Sequence, residues 1–163
     1  MPDVKIFTDG ACRGNPGPGG YGILLIYGKH KKELSGGFKH TTNNRMELIA
    51  VIKALKALKK KCNVELFSDS KYIVDAMQNK WAHRWQANYW KRNKRESAEN
   101  PDLWEEILNL CDKHVVTFRW VKGHGECQEN NRCDELAVLA CDTTEPENDL
   151  VYEKKISSQK SLF

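Results

Sequence analysis

The order in which hydrophobic periodicities change along the chain limits its fold more tightly than any other feature of the sequence. Val4 to Thr8 alternates apolar and polar residues, a glycine- and proline-rich stretch from Gly10 to Gly20 interrupts, and Tyr21 to Tyr27 resumes strand-like composition. Gly28-Lys29-His30 is a short turn signal and Lys31 to His40 can form a third strand, so an antiparallel meander precedes any helix. From Asn44 the period becomes helical: Leu48, Val51, Ile52, Leu55 and Leu58 fall on one stripe, which predicts a helix over roughly 44 to 60. Val64 to Phe67 reads as a short strand, and Asp69-Ser70 offers helix-start chemistry for Tyr72, Ile73, Ala76 and Met77. Pro101 opens another helix carrying Leu103, Trp104, Ile107, Leu108 and Cys111; Val115 to Val121 is a fifth strand and roughly 129 to 141 a last helix. Alternation of strand and helix in this second half signals parallel pairing, and the whole predicts an α/β domain.

At 163 residues and 40% hydrophobic content, the chain can bury one core without disulfides or a structural metal. Its net charge of +4 is modest. However, Lys80, Arg84, Lys91, Arg92, Lys94 and Arg95 fall in one stretch, interleaved with Trp81, Trp85, Tyr89 and Trp90, and this predicts a protruding basic segment over about 81 to 100 that suits a polyanionic partner. The six cysteines show no zinc-ligand spacing and read as reduced thiols. No signal-peptide pattern opens the chain and no apolar run approaches membrane-spanning length, so a cytoplasmic protein without a membrane partner is expected, with a monomer as the default. Residues 1–142 are read as the domain, and 143–163 as a polar tail, mobile or loosely docked.

Four acids have ordinary explanations when taken singly. Asp9 precedes Gly10 and suits a turn. Glu47, three residues after Asn44, suits the N3 position of a capping box, although it borders the apolar stripe. Asp69 suits a helix N-cap, although it also follows the C-terminal end of a strand, where open α/β sheets bind ligands. Asp134 suits the positive end of the last helix dipole. Jointly they are harder to explain, because a buried cluster of carboxylates is untenable unless cations neutralise it or the acids protonate. Hard oxygen ligands select Mg2+, with Mn2+ as a substitute, and leave no role for zinc.

The segments Thr8-Asp9-Gly10, Gly14-Asn15-Pro16-Gly17, Thr42-Asn43-Asn44-Arg45-Met46-Glu47, Ser68-Asp69-Ser70, Trp120-Val121-Lys122-Gly123-His124 and Asn131-Arg132-Cys133-Asp134-Glu135-Leu136-Ala137 occur in that order. In them the chain resembles the ribonuclease HI family from about residue 3 to 141. The resemblance implies a ribonuclease H-like fold, a five-stranded mixed sheet in the order 3-2-1-4-5 flanked by helices. It implies that Asp9, Glu47, Asp69 and Asp134 converge on two magnesium ions, one activating a water and the other stabilising the leaving 3′ oxygen. The activity implied is endonucleolytic hydrolysis of the RNA strand of an RNA–DNA hybrid, leaving 5′-phosphate and 3′-hydroxyl ends. His124, in a glycine-flanked loop, could move protons or assist product departure.

The same resemblance distributes substrate contacts. Backbone groups at Gly10, Cys12 and Arg13 are candidates for sensing 2′-hydroxyls, and Asn15, Asn43 and Asn44 for reaching sugar and base edges in a shallow minor groove. Thr42 and Arg45 are candidates for holding a DNA-strand phosphate. Trp81, Trp85, Trp90, Lys91 and Arg92 belong to a segment resembling the family's basic handle, with Trp81 expected mainly to pack. Lys71 stands where many family members carry a substrate-contacting glutamine, and a lysine offers a phosphate contact instead. Two other readings remain open at this point: a hybrid- or duplex-binding module without chemistry, and another nuclease or strand-transfer enzyme on the same sheet.

Overall fold

The computed structural model describes residues 1–160. Strands β1 (Asp3–Cys12), β2 (Gly17–Tyr27) and β3 (His30–Thr41) form the antiparallel meander. β4 (Asn63–Ser68) pairs parallel with β1, and β5 (Val115–Trp120) parallel with β4, giving one mixed sheet in the order β3-β2-β1-β4-β5. Fold class and strand order agree with the sequence expectation.

Side-chain alternation on β1 builds a core on each face of the sheet. Val4 and Ile6 join the larger core, which takes Leu48, Val51 and Leu55 from α1 (Asn43–Lys56) and Leu103, Trp104 and Ile107 from α4 (Pro101–Asp112). Phe7 points the other way, into a small cluster with Leu24 and with Cys133 of α5 (Gln128–Ala140), and stacks on Phe67 at 4.6 Å. Burial of each large apolar side chain contributes about 1.5–3 kcal/mol. These two layers fix where the C-terminal ends of β1 and β4 meet α1 and α5.

Helix caps differ from the sequence expectation in a way that matters for the site. Thr42 is the N-cap of α1, its Oγ1 accepting from the Arg45 N–H at 3.2 Å. Glu47 therefore lies two residues beyond the N3 position, and the capping-box explanation fails. Ser70, rather than Asp69, caps α2 (Lys71–Gln78), accepting from the Ile73 N–H at 3.3 Å. Neither acid is occupied by its helix start. α1 also ends at Lys56, before the Lys59-Lys60-Lys61 run, with Lys53 and Lys56 completing the favourable charge at its C-terminus.

The basic segment begins with a short helix, α3 (Trp81–Ala87), and returns through a bridge between Lys91 and Ser97. Trp85 is buried, edge-on to Trp104 at 5.8 Å and near Tyr72 at 6.2 Å. Trp81 and Trp90 are partly buried against the same core. All three tryptophans anchor the handle, as a segment that interleaves aromatic with basic residues allows, and Trp81 and Trp85 also line a groove with Lys91 and Arg92.

The segment after residue 142, expected to be a mobile or loosely docked tail, is docked over its described residues and includes α6 (Leu150–Lys160). Glu147 exchanges backbone hydrogen bonds with β3, accepting from the Lys39 N–H and donating to Gly37 O. Asp149 is buried and accepts from Thr41 Oγ1 at 2.7 Å and from Arg45 Nε at 2.7 Å, while Tyr152 packs on His40. Its polar composition hides this, since most of the fixing contacts are polar: backbone hydrogen bonds and a buried ion pair. Positions 161–163 of that expected tail lie outside the described residues.

Candidate active site

Gly10 makes the site possible. A β-carbon there would lie 2.5 Å from the Glu47 backbone nitrogen, so only a glycine lets the start of α1 lie against the end of β1. Asp9 on β1, Glu47 on α1 and Asp69 after β4 then converge, with one carboxylate oxygen from each within 4.8 Å of the others. Asp9 and Glu47 are buried and Asp69 is half-buried. The Gly10 N–H donates to Asp9 Oδ1 at 2.9 Å. Among the described residues, Glu47 Oε2 is buried with no hydrogen-bond partner, an orphaned acceptor in an acidic cluster.

Burial drives the electrostatics of the cluster. Loss of hydration pushes the Asp9 carboxyl up to about 8, and the charge of Asp69 adds to this, against the pull of Glu47 and the Gly10 N–H. Glu47 is held well above the ordinary carboxyl range by burial and then by the charges of Asp9 and Asp69. Burial also raises Asp69; a hydrogen-bonding interaction with Asn130 opposes the rise, Asp134 adds to it and His124 offsets it. Protons or a cation must neutralise such a group. The orphaned Glu47 oxygen and the all-oxygen donor set fit a hard divalent cation.

Asp134, on α5, is outside the tight trio but close enough for its charge to act on Asp9 and Asp69. His124 sits in the loop before α5, exposed, with Nδ1 3.9 Å from Asp134 Oδ2. Asn131 fastens this loop by donating from Nδ2 to Gly125 O at 3.0 Å. Trp120 Nε1 donates to the Asp69 carbonyl at 3.2 Å, which ties the end of β5 to the site. Sequence reasoning missed Trp120, Asn130 and Gly123. The signal for Asn130 was available: it stands one helical turn before Asp134.

The candidate substrate residues separate into those that face a groove and those consumed by structure. Asn15 Oδ1 accepts from the Asn43 N–H at 2.9 Å, so the glycine-rich turn is tied to the start of α1. Asn15, Thr42 and the exposed Asn44 line a cavity of about 590 Å³ shared with Asn100, Tyr152 and Lys155. Arg45 also borders it, yet its guanidinium is only 5% exposed and bonded to both Asp149 and Asp102. Burial works against its charge, but these hydrogen bonds outweigh burial and raise its pKa. The Arg45 guanidinium is thus paired within the protein.

Cys12 is half-buried, its thiol directed at Gly17 O and Thr41 O, and Arg13 pairs with Asp142 on the surface through two hydrogen bonds. Lys71 is exposed at the first turn of α2. In the handle, Arg92 pairs with Glu96, whereas Lys91, Lys94 and Arg95 are exposed, and Lys91 and Arg92 border a groove of about 560 Å³.

The family described as RNase H matches residues 1–142. A ribonuclease H of Syntrophus aciditrophicus is 62% identical over 137 residues, covering 84% of this chain and 79% of that protein. A ribonuclease H of Rippkaea orientalis is 59% identical over 152 residues, covering 93% of each. Among solved structures, a type 1 RNase H with the type 2 active-site motif superposes with a TM-score of 0.77 at 35% identity, over 86% of this chain and 72% of that one. A type 1 RNase H in complex with an RNA/DNA hybrid superposes with a TM-score of 0.64 at 27% identity, over 85% and 96%. Sheet order, converging acids and these likenesses agree: the chain belongs to the ribonuclease H family.

Proposed function

We propose that the protein is a divalent-metal-dependent endonuclease that hydrolyses the RNA strand of RNA–DNA hybrids, leaving 5′-phosphate and 3′-hydroxyl ends, and that it acts as a cytoplasmic monomer. The observation that carries this reading is the convergence of Asp9, Glu47 and Asp69, with an orphaned Glu47 oxygen, in a chain of this family. A bound pair of Mg2+ or Mn2+ ions would supply charge neutralisation, water activation and leaving-group stabilisation for in-line displacement at phosphorus. Asp9, Glu47 and Asp69 would hold them, with Asp134 completing the set from α5. The exposed His124, beside Asp134, is free to carry a proton to or from the reacting phosphate.

Hybrid binding follows from the surfaces around the acids. The backbone at Gly10, Cys12 and Arg13, with Asn15, Asn43 and Asn44, meets the minor groove, where 2′-hydroxyls separate RNA from DNA. Thr42 borders the cavity of about 590 Å³, where it would hold a DNA-strand phosphate. Lys71, Lys91, Lys94 and Arg95 supply exposed positive charge for the backbone phosphates. A solved relative that carries an RNA/DNA hybrid supports this choice of partner. No helix among the described residues is long and apolar enough to cross a membrane.

The test is incubation with hybrid, double-stranded RNA, double-stranded DNA and single-stranded RNA, each with and without Mg2+. Cleavage of the hybrid alone, and only with metal, is the expected result. Hybrid binding without cleavage would instead establish a non-catalytic module.

A further inference from the structure

α5 buries a polar residue that packing alone does not explain. The Asn130 side chain is 1% exposed, and neither Oδ1 nor Nδ2 makes a hydrogen bond of full geometry with any described residue. Leaving a buried amide in this condition costs about 1–3 kcal/mol. Among the described residues, Asn130 alone has two orphaned polar atoms; Thr8, Glu47, His83 and Trp104 have one each.

Its position gives the reason. Asn130 precedes Asp134 by one turn, so the two share a face of α5, the helix that closes over the ends of β1 and β2. The amide lies against the Asp69 carboxylate, although the approach falls short of a well-formed hydrogen bond. Asp69 is also restrained through its backbone by Trp120, by the close passage of Gly123 and by a hydrogen-bonding interaction with Asp9 inside the cluster. Its carboxylate needs a donor that keeps it turned toward Asp9 and Glu47.

We infer that Asn130 is a positioning residue whose Nδ2–H orients the Asp69 carboxylate toward the shared divalent-cation site. This rests on the hydrolytic reading above. Groups that orient a ligand without touching the metal change metal affinity or activity about 10–100-fold when removed.

Wild type, Asn130→Ala and Asn130→Leu are compared by chemical-shift titration with Mg2+ alone, by melting of the metal-free proteins and by steady-state cleavage of hybrid. Both variants should bind Mg2+ at least about 10-fold more weakly. The kcat should fall while KM for the hybrid stays within about twofold. Metal-free Asn130→Leu should melt no lower than wild type, because the variant relieves a buried amide whose atoms make no hydrogen bond of full geometry. Unchanged Mg2+ affinity in both variants would overturn the inference alone, and so would losses of affinity that simply track losses of melting temperature. A wild-type protein that takes up no Mg2+ would overturn the hydrolytic reading and this inference with it.

Discussion

A β-carbon on Gly123 would lie 2.6 Å from Oδ2 of Asp69, closer than any unstrained contact. The loop between β5 and α5 thus passes directly over one of the three converging acids, and the absence of a side chain at 123 sets the room that acid has. The Trp120 indole, donating to the Asp69 carbonyl, holds the same corner from below.

Gly123→Ala should therefore displace the Asp69 carboxylate rather than unfold the chain, since the clash is with the mobile end of a side chain. The expected outcome is at least a tenfold loss of kcat and weaker Mg2+ uptake, with the far-ultraviolet dichroism unchanged. Activity equal to wild type would mean that Asp69 has latitude the geometry denies it.

Asp9→Asn should abolish cleavage and yet stabilise the metal-free protein. The Asp9 carboxyl is raised from its ordinary 3.8 to about 8 in the folded state, so folding favours the protonated form. Stability from this group is fully present below about pH 4 and is lost as pH rises toward 8. Melting scans without metal should show the variant gaining most over wild type near pH 8 and little near pH 4. A gain independent of pH would contradict this origin.

Mg2+ should raise the melting temperature of wild type more at pH 8 than at pH 5.5, because a cation competes with protons for Asp9 and Glu47. The same addition should do little for Asp9→Asn. Equal stabilisation of the two proteins would place the cation elsewhere.

Asp149→Ala should destabilise the fold by about 3–5 kcal/mol, because it strips a partner from a guanidinium buried at the start of α1. Urea denaturation measures this. A loss below about 1 kcal/mol would show that Asp102 alone satisfies Arg45.

Neutralising Lys91, Lys94 and Arg95 should reduce the salt dependence of hybrid binding by about 0.9 in log–log slope for each phosphate that these side chains no longer neutralise, with kcat unaffected at saturating substrate. Trp85→Ala should instead lower stability by about 3–5 kcal/mol, as expected of a buried aromatic. An unchanged slope in the triple variant would remove the handle from the interface.

How much of this was legible in the sequence depended on the range of the interaction involved. The strands of the meander and the helical stripe of α1 were readable because period-2 and period-3.6 patterns are local. Asp9, Glu47, Asp69 and Asp134 stood out through motif order, but the capping explanations of Glu47 and Asp69 fell only when Thr42 and Ser70 proved to be the caps. The pairing of Arg45 with Asp149 spans 104 positions and leaves no periodic trace, so the docked segment after 142 read as a tail. That the handle tryptophans pack was legible, but not their partner: Trp85 meets Trp104, from a helix distant in sequence. Close approaches that require Gly10 and Gly123 are invisible until the opposing backbone or side chain is in place.

The sharing of a cation by Asp9, Glu47 and Asp69 is tested most directly by anomalous diffraction from crystals grown with Mn2+. A peak within coordinating distance of all three carboxylates, absent from Asp9→Asn crystals grown in the same way, is the predicted result. Mn2+ bound elsewhere with none at these acids, in crystals whose protein cleaves hybrid, would contradict the assignment.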